Sequence, residues 1–229
     1  MDDLKTREPQ YQFQISHDAK YGRAKLGLMT SASWYEDPRR LLFLLSRYKF
    51  VAKMLAGKNR VLEVGCGDGF GTRLVLQEVG SICAVDFDSV FVKDANERMD
   101  ERWKFDCVVH DILSSPVVGP FDAAYSLDVI EHIRVVDEDR FVTNIALSLA
   151  SDGVLIIGTP SLQSQAYASP ASKEGHVNCK DQASLKRLLG RYFQNVFMFS
   201  MNDEVVHTGF SSMAHYLFAL GVSPVGDSQ

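Results

Sequence analysis

The segment Val61-Leu62-Glu63-Val64-Gly65-Cys66-Gly67-Asp68-Gly69-Phe70-Gly71-Thr72 leaves few folds open to this chain. A short β-prone run enters a turn with glycine at every second position. A helix-compatible stretch, Thr72 to Val79, follows and stops at Gly80. Glycines at 65, 67 and 69 let the backbone reverse sharply and let a ligand lie against bare peptide. A strand, a glycine turn and a helix in that order form the nucleotide-binding start of an open α/β sheet. The spacing also excludes a ligand class. The dinucleotide fingerprint G-x-G-x-x-G would put its third glycine at position 70, which is Phe70, so a nicotinamide-dependent oxidoreductase is disfavoured.

The rest of the chain repeats that alternation. Asp37-Pro38 opens a helix whose apolar positions Leu41, Leu42, Leu45, Tyr48, Ala52 and Leu55 recur at helical spacing until Gly57. Strands are predicted at Arg60 to Val64, Ile82 to Val85, Phe105 to Val109, Phe121 to Ser126, Val154 to Ile157, Asn195 to Met201 and His215 to Val222. Helices are predicted from Asp88 to Met99, from Asp137 to Ala150 and from a cap at Asp181 through Tyr192. The expected fold is α/β: a Rossmann-like, seven-stranded, mostly parallel sheet with helices on both faces and the last strand antiparallel. One domain is expected over 1–229. Residues 1–36 lack a strong period and read as an N-terminal cap or arm; 37–229 form the core, with a Ser-rich loop at 159–180.

Composition narrows the partners. At 229 residues with a net charge of −5 and no run of Lys and Arg, the chain lacks the broad basic surface that nucleic acid requires. Apolar runs such as 41–45 and 154–157 are too short to cross a bilayer, and Met1-Asp2-Asp3-Leu4-Lys5 is too polar to be a signal peptide. The four cysteines, at 66, 83, 107 and 179, have no metal-ligand spacing. They read as reduced thiols of a cytoplasmic protein, either monomer or homodimer.

The glycine turn, written E-x-G-x-G-x-G from Glu63, resembles the first motif of the class I S-adenosylmethionine-dependent methyltransferases. The resemblance covers roughly Arg47 to Gly158. S-adenosylmethionine has no phosphate, so its turn needs only to admit a ribose and a methionyl chain. Strand ends supply the other contacts. Asp86 follows the glycines by about 20 residues, where a carboxylate accepts ribose hydroxyls. Phe87 is placed to lie against adenine, Asp111 to accept its exocyclic amine, and Ile112 to wall it. Ser126 and Leu127 lie under the methionyl part, and Arg47 is placed to meet its carboxylate. With Glu63, Gly65, Cys66, Gly67 and Gly69, these are the candidate cofactor residues.

Leu127-Asp128-Val129-Ile130-Glu131-His132-Ile133 resembles the segment after the fourth strand in small-molecule methyltransferases of the ubiquinone-biosynthesis type. His132 is therefore a candidate base. His176, in Gly175-His176-Val177-Asn178, is a second; that loop is similar to those of methyltransferases from sugar and surface-polysaccharide pathways. His207, between the last two strands, is a third. Asp128, Glu131 and His132 have i, i+3, i+4 spacing, which would place them on one helical face. In some methyltransferases of that resemblance such a face holds a divalent ion; a solvated acidic face is the favoured reading here, and no metal site is assigned. The Asn/Asp-Pro-Pro-aromatic tetrad of base-amine methyltransferases is missing at Ser126-Leu127-Asp128-Val129. The resemblance thus implies methyl transfer to a small polar metabolite. A hydroxyl of a sugar, a nucleotide-linked sugar or a related phosphorylated compound leads, with Arg39, Arg40, Arg47 and Lys49 able to meet phosphate. A small-molecule N-methyltransferase, a quinone-type O-methyltransferase and a non-catalytic cofactor-binding protein remain the alternatives.

Overall fold

The structure, a computed structural model, describes residues 4–225; Met1, Asp2 and Asp3 of the polar N-terminus lie outside them. Five parallel strands form the first part of the sheet: β1 Arg60–Val64, β2 Ser81–Asp86, β3 Asp106–Val109, β4 Phe121–Leu127 and β5 Leu149–Pro160. Three more complete it: β6 Phe193–Asn202, β7 Val205–His207 and β8 Tyr216–Pro224. The order is β3-β2-β1-β4-β5-β8-β6-β7. β8 runs antiparallel to both β5 and β6, as expected of the last strand. The count is eight rather than seven, because the chain after β6 turns back on it as β7. Three residues set across a tight turn carry too little pattern to be read as a strand.

Helices cover both faces. α1 Gln12–Tyr21 and α2 Leu28–Glu36 lie in the N-terminal cap, and α3 Arg39–Met54 leads into β1. α4 Thr72–Leu76 follows the glycine turn and α5 Ser89–Arg98 follows β2. α6 Glu138–Ser148 precedes β5. α7 Pro170–Gly175 lies within the predicted loop, and α8 Gln182–Leu189 follows it. Asp88 caps α5 and Asp181 caps α8, each side chain accepting a hydrogen bond from the first turn of its helix.

Strand alternation sorts the core into two layers. Val61 packs with Tyr48, Val51, Leu55 and Val75 on the α3–α4 face. Leu62 and Val64 pack with Phe141, Ile145 and Leu185 on the α6–α8 face. Glu63 belongs by register with Val61, and that register decides its fate. It is buried to 1% exposure under α3. Its carboxylate accepts hydrogen bonds from Tyr48 Oη at 2.8 Å and from Thr72 Oγ1. Burial pushes this carboxyl up from its usual range. Glu63 is thus a tie between β1, α3 and the start of α4, and the sequence-based assignment to the cofactor is corrected.

The cap is held by polar contacts and contains two helices where no period was visible. Thr30, in α2, gives both its backbone N–H and its hydroxyl to the Asp68 carboxylate, at 2.8 and 3.1 Å. The Leu28 N–H donates to Asp94 at 3.2 Å. At Gly27 a Cβ would lie 2.2 Å from Asp68 Oδ2, so only glycine lets the cap approach the turn this closely. α1 buries no residue, and its aromatic stripe Phe13, His17 and Tyr21 stacks along the helix surface.

Candidate active site

The carboxyl ends of β1, β4 and β5 face a cleft of about 600 Å³, the expected position for a ligand in an open parallel sheet, and Asp86, Phe87 and Asp111 lie outside its lining. Its floor is the glycine turn. Gly65, Gly67 and Gly69 have φ of 77°, 52° and 64°, the left-handed region that a side chain disfavours. α2 and α3 form one wall, and the segments after β4 and β5 form the other. Of the candidate cofactor residues, Arg47, Gly65, Cys66, Gly67 and Leu127 line this cleft.

Asp86 sits at the end of β2, beside the turn. Its Oδ2 accepts from the Gly67 N–H at 2.8 Å and its Oδ1 from the Asp88 N–H at 2.9 Å. The carboxylate is therefore fixed in place, with acceptor capacity left for a ligand. Phe87 beside it is 76% exposed, so it is not a core residue. Asp111 is exposed at the end of β3 and accepts from the Leu113 N–H, leaving its second oxygen free. Two neighbours on the strand ends are placed differently. Ile112 is packed into the α6 core layer, and its carbonyl accepts from Asn144. The Ser126 hydroxyl is buried and donates to the Val64 carbonyl at 2.8 Å, tying β4 to β1. These two side chains are spent on packing and on the β4–β1 tie, a direction that a strand end does not reveal.

Arg47 reaches across the cleft from α3. Its Nη1 donates to both oxygens of Asp128 at 2.8 Å, and its guanidinium lies 3.9 Å over the Tyr216 ring. Its Nε is buried without a partner, an unspent donor. Asp128 holds φ of 57°, a strained value for this residue, and so turns sharply out of β4. Two of the other three basic residues are engaged locally, and Lys49 makes no ion pair among the described residues. Arg39 pairs with Asp37 and Arg40 with Glu36, at 2.9 and 2.8 Å. The expected phosphate-binding group is thus largely neutralised by its own neighbours.

The segment after β4 forms a 3-10 turn, Ile130–His132, instead of a longer helix. Asp128 is consequently turned toward Arg47, while Glu131 and His132 meet a different partner. His176, at the end of α7, stacks edge-on against His132 with ring centroids 5.1 Å apart. One ligand atom each from Glu131, His132 and His176 lies within 4.8 Å of the others. His132 Nδ1 contacts the Gly175 carbonyl and His176 Nδ1 contacts the Gln165 Oε1, each at 2.9 Å. A carbonyl oxygen only accepts, so both Nδ1 atoms donate, and in the neutral form of each ring Nε2 keeps the lone pair. Burial, and then the charge of His132, pushes His176 below the ordinary histidine range. Glu131 is buried and accepts from Thr159 at 3.1 Å; burial and the nearby Asp128 push it up to about 8.

His207 stands apart. It lies on β7 at the far edge of the sheet, with Nε2 on Asn202 and Nδ1 accepting from the Gly209 N–H. Both ring nitrogens are used in pinning the hairpin, so its assignment as a base is corrected. Sequence reasoning missed Asp68, the anchor of the cap, and Gln165, which orients His176. Neither carries a local signal, since each acts on a partner distant in the chain.

Residues 61–153 match a family model described as a methyltransferase domain. These residues thus carry a methyltransferase domain of the kind found in S-adenosylmethionine-dependent enzymes, and the glycine turn lies within them. A probable S-adenosylmethionine-dependent methyltransferase of Mycobacterium tuberculosis is 29% identical over 119 residues, covering 50% of this chain and 42% of that protein. The ubiquinone biosynthesis O-methyltransferase of Psychrobacter arcticus is 23% identical, covering 59% of this chain and 54% of its own length. The chain thus spans about half the length of these relatives. Among solved structures, the N-methyltransferase NodS of Bradyrhizobium japonicum, in complex with S-adenosylhomocysteine, superposes with a TM-score of 0.59. It is 18% identical and covers 82% of this chain and 87% of its own, a likeness of fold. No helix among the described residues is long and apolar enough to cross a membrane.

Proposed function

We propose that this methyltransferase moves a methyl group from S-adenosylmethionine to a hydroxyl of a small polar metabolite, with a sugar hydroxyl as the leading class. The observation that carries the proposal is the pair His132 and His176, with free Nε2 atoms, at the mouth of a cleft floored by the cofactor turn. In the proposed pose the Arg47 Nε–H meets the methionyl carboxylate, Asp86 the ribose hydroxyls, and Asp111 and Phe87 the adenine. Bound there, with Leu127 under its methionyl part, S-adenosylmethionine would supply an activated methyl group to the acceptor oxygen. The hydroxyl proton passes to a histidine Nε2. His176 is proposed as the base: burial favours its neutral ring, the form that accepts a proton, and Gln165 holds its Nδ1–H. The cap and the segment from 159 to 180 enclose the acceptor and keep water from the sulfonium.

The neutralised arginines favour an uncharged acceptor over a phosphorylated one. Aliphatic and aromatic side chains of α3 (Leu41, Phe43 and Leu44) face Ser169, Ser172 and Tyr167 across the cleft, a wall suited to a ring with hydroxyls on one face. The free thiols support a reducing compartment such as the cytoplasm. A screen with methyl-labelled cofactor tests the reading. Label is expected on hydroxylated ring compounds; transfer to amines alone would replace it with N-methylation.

A second reading rests on the Glu131, His132 and His176 cluster. Two imidazoles with their Nδ1–H groups held by carbonyl oxygens, beside one carboxylate, suit a divalent transition cation such as iron, zinc or manganese. Such an ion would polarise the acceptor oxygen. Chelation separates the two readings: a histidine base predicts turnover unchanged by EDTA, whereas loss of turnover that returns with zinc, iron or manganese makes the cluster a metal centre.

The proposed ribose contact has its own test. Asp86→Ala is expected to weaken S-adenosylhomocysteine binding by about 1–3 kcal/mol, because it removes a charged acceptor and frees the Gly67 amide. Titration calorimetry measures it; unchanged affinity would place the ribose elsewhere.

A further inference from the structure

Two of the four thiols lie where the cofactor turn meets the sheet. Cys66 Sγ and Cys107 Sγ are 3.9 Å apart, hydrogen-bonded and free of any disulfide. Cys107 is on β3, and Cys66 is in the turn between two left-handed glycines. Cys66 is also among the residues that line the cleft, so only one buried side chain separates the pair from a small oxidant that enters it. Cys83 packs with the opposite core layer, away from this pair, and Cys179 lies in the segment after β5.

We propose that Cys66 and Cys107 form a redox modification site, oxidised by a peroxide to a disulfide that lowers affinity for the cofactor. The step balances. One thiolate attacks a peroxide oxygen, breaking the oxygen–oxygen bond and leaving a sulfenic acid and water. The second sulfur displaces water from that sulfenic acid. Two thiols lose two electrons and two protons in total, and one hydrogen peroxide becomes two waters. The shared hydrogen bond lets Cys107 begin, since its thiolate is stabilised by the S–H of Cys66, which the same contact and burial hold in the thiol form.

The consequence follows from the contacts of the turn. A disulfide needs its sulfurs at about 2 Å, so the pair must close by roughly 2 Å. β3 is held in the ladder with β2, and its Cys107 carbonyl accepts from Asn96. Cys66 is hinged on Gly65 and Gly67 and is the side that moves. Its amide and that of Gly65 donate to the Val85 carbonyl, and the Gly67 amide holds Asp86. Drawing Cys66 toward β3 pulls the turn down and releases Asp86, the group proposed to hold the ribose. This inference rests on the cofactor pose above. By linkage, bound cofactor disfavours the disulfide by the same factor as the disulfide disfavours the cofactor.

The experiment oxidises the full chain with hydrogen peroxide, with and without S-adenosylhomocysteine, then maps peptides by mass spectrometry and measures S-adenosylhomocysteine affinity. A peptide cross-linked between Cys66 and Cys107 is expected, lighter by two hydrogens and suppressed by the ligand. Affinity of the oxidised chain is expected to fall by about 5- to 150-fold, the range of a linked two-site coupling, and to recover fully with dithiothreitol. Cys107→Ser is expected to bind the ligand normally and to resist the loss; Cys107→Ala serves if the serine variant does not fold. A chain that loses affinity without the cross-link, a cross-linked chain that binds normally, or an equal loss in the Cys107 variant would each overturn the proposal. Failure of the untreated chain to bind S-adenosylhomocysteine would instead overturn the cofactor pose, and the peptide map alone would then decide whether the pair is oxidised.

Discussion

His176→Ala is expected to lower turnover by about 10²- to 10⁴-fold while leaving S-adenosylhomocysteine affinity nearly intact. The argument is geometric. His176 reaches the cleft mouth from the end of α7, and its Nδ1–H is spent on Gln165. Nε2 is then left to accept the acceptor's proton. The cofactor turn, across the cleft, does not touch it. His132→Ala should show a smaller loss if His176 is the base, because His132 then only positions its partner. Equal large losses in both variants, together with sensitivity to chelation, would favour the metal reading. Normal turnover in both would leave alignment as the whole of catalysis and remove the histidines from the mechanism.

Glu63→Ala is expected to destabilise the fold by about 2–4 kcal/mol, by leaving the Tyr48 and Thr72 hydroxyls unpaired in a dry layer beside a new void. For a domain of this size that is a fall in melting temperature of roughly 5–15 °C. Glu63→Gln should cost far less. Burial has already pushed the carboxyl toward its neutral form, and the amide keeps both the shape and an acceptor for the Tyr48 hydroxyl. Thermal unfolding of the three proteins measures this; an alanine variant as stable as the parent would show that the tie carries no load.

The sequence made the parallel sheet and the glycine turn readable because both are written locally. A short apolar run ending in glycine or aspartate fixes a strand and its ligand-facing end. Which way a side chain points at that end was not readable. Glu63 and Ser126 sit beside the cleft in sequence, yet alternation sends both into the layers under the helices. The cap was illegible for another reason. α2 is held by Asp68 and Asp94 rather than by a buried stripe, so it leaves no apolar period. The basic group near Arg39 reads as a phosphate site in the sequence because its pairing with Asp37 and Glu36 is fixed only where the chain turns into α3. The His132–His176 pairing joins residues 44 positions apart, and only the fold brings them together.

The most direct measurement is a crystal structure of the chain with S-adenosylhomocysteine. The ligand is expected in the cleft with its ribose on Asp86, its carboxylate on the Arg47 Nε–H, and its sulfur over Leu127, facing His132 and His176. A sulfur turned away from both histidines, or a ligand bound outside the glycine turn, would contradict the account.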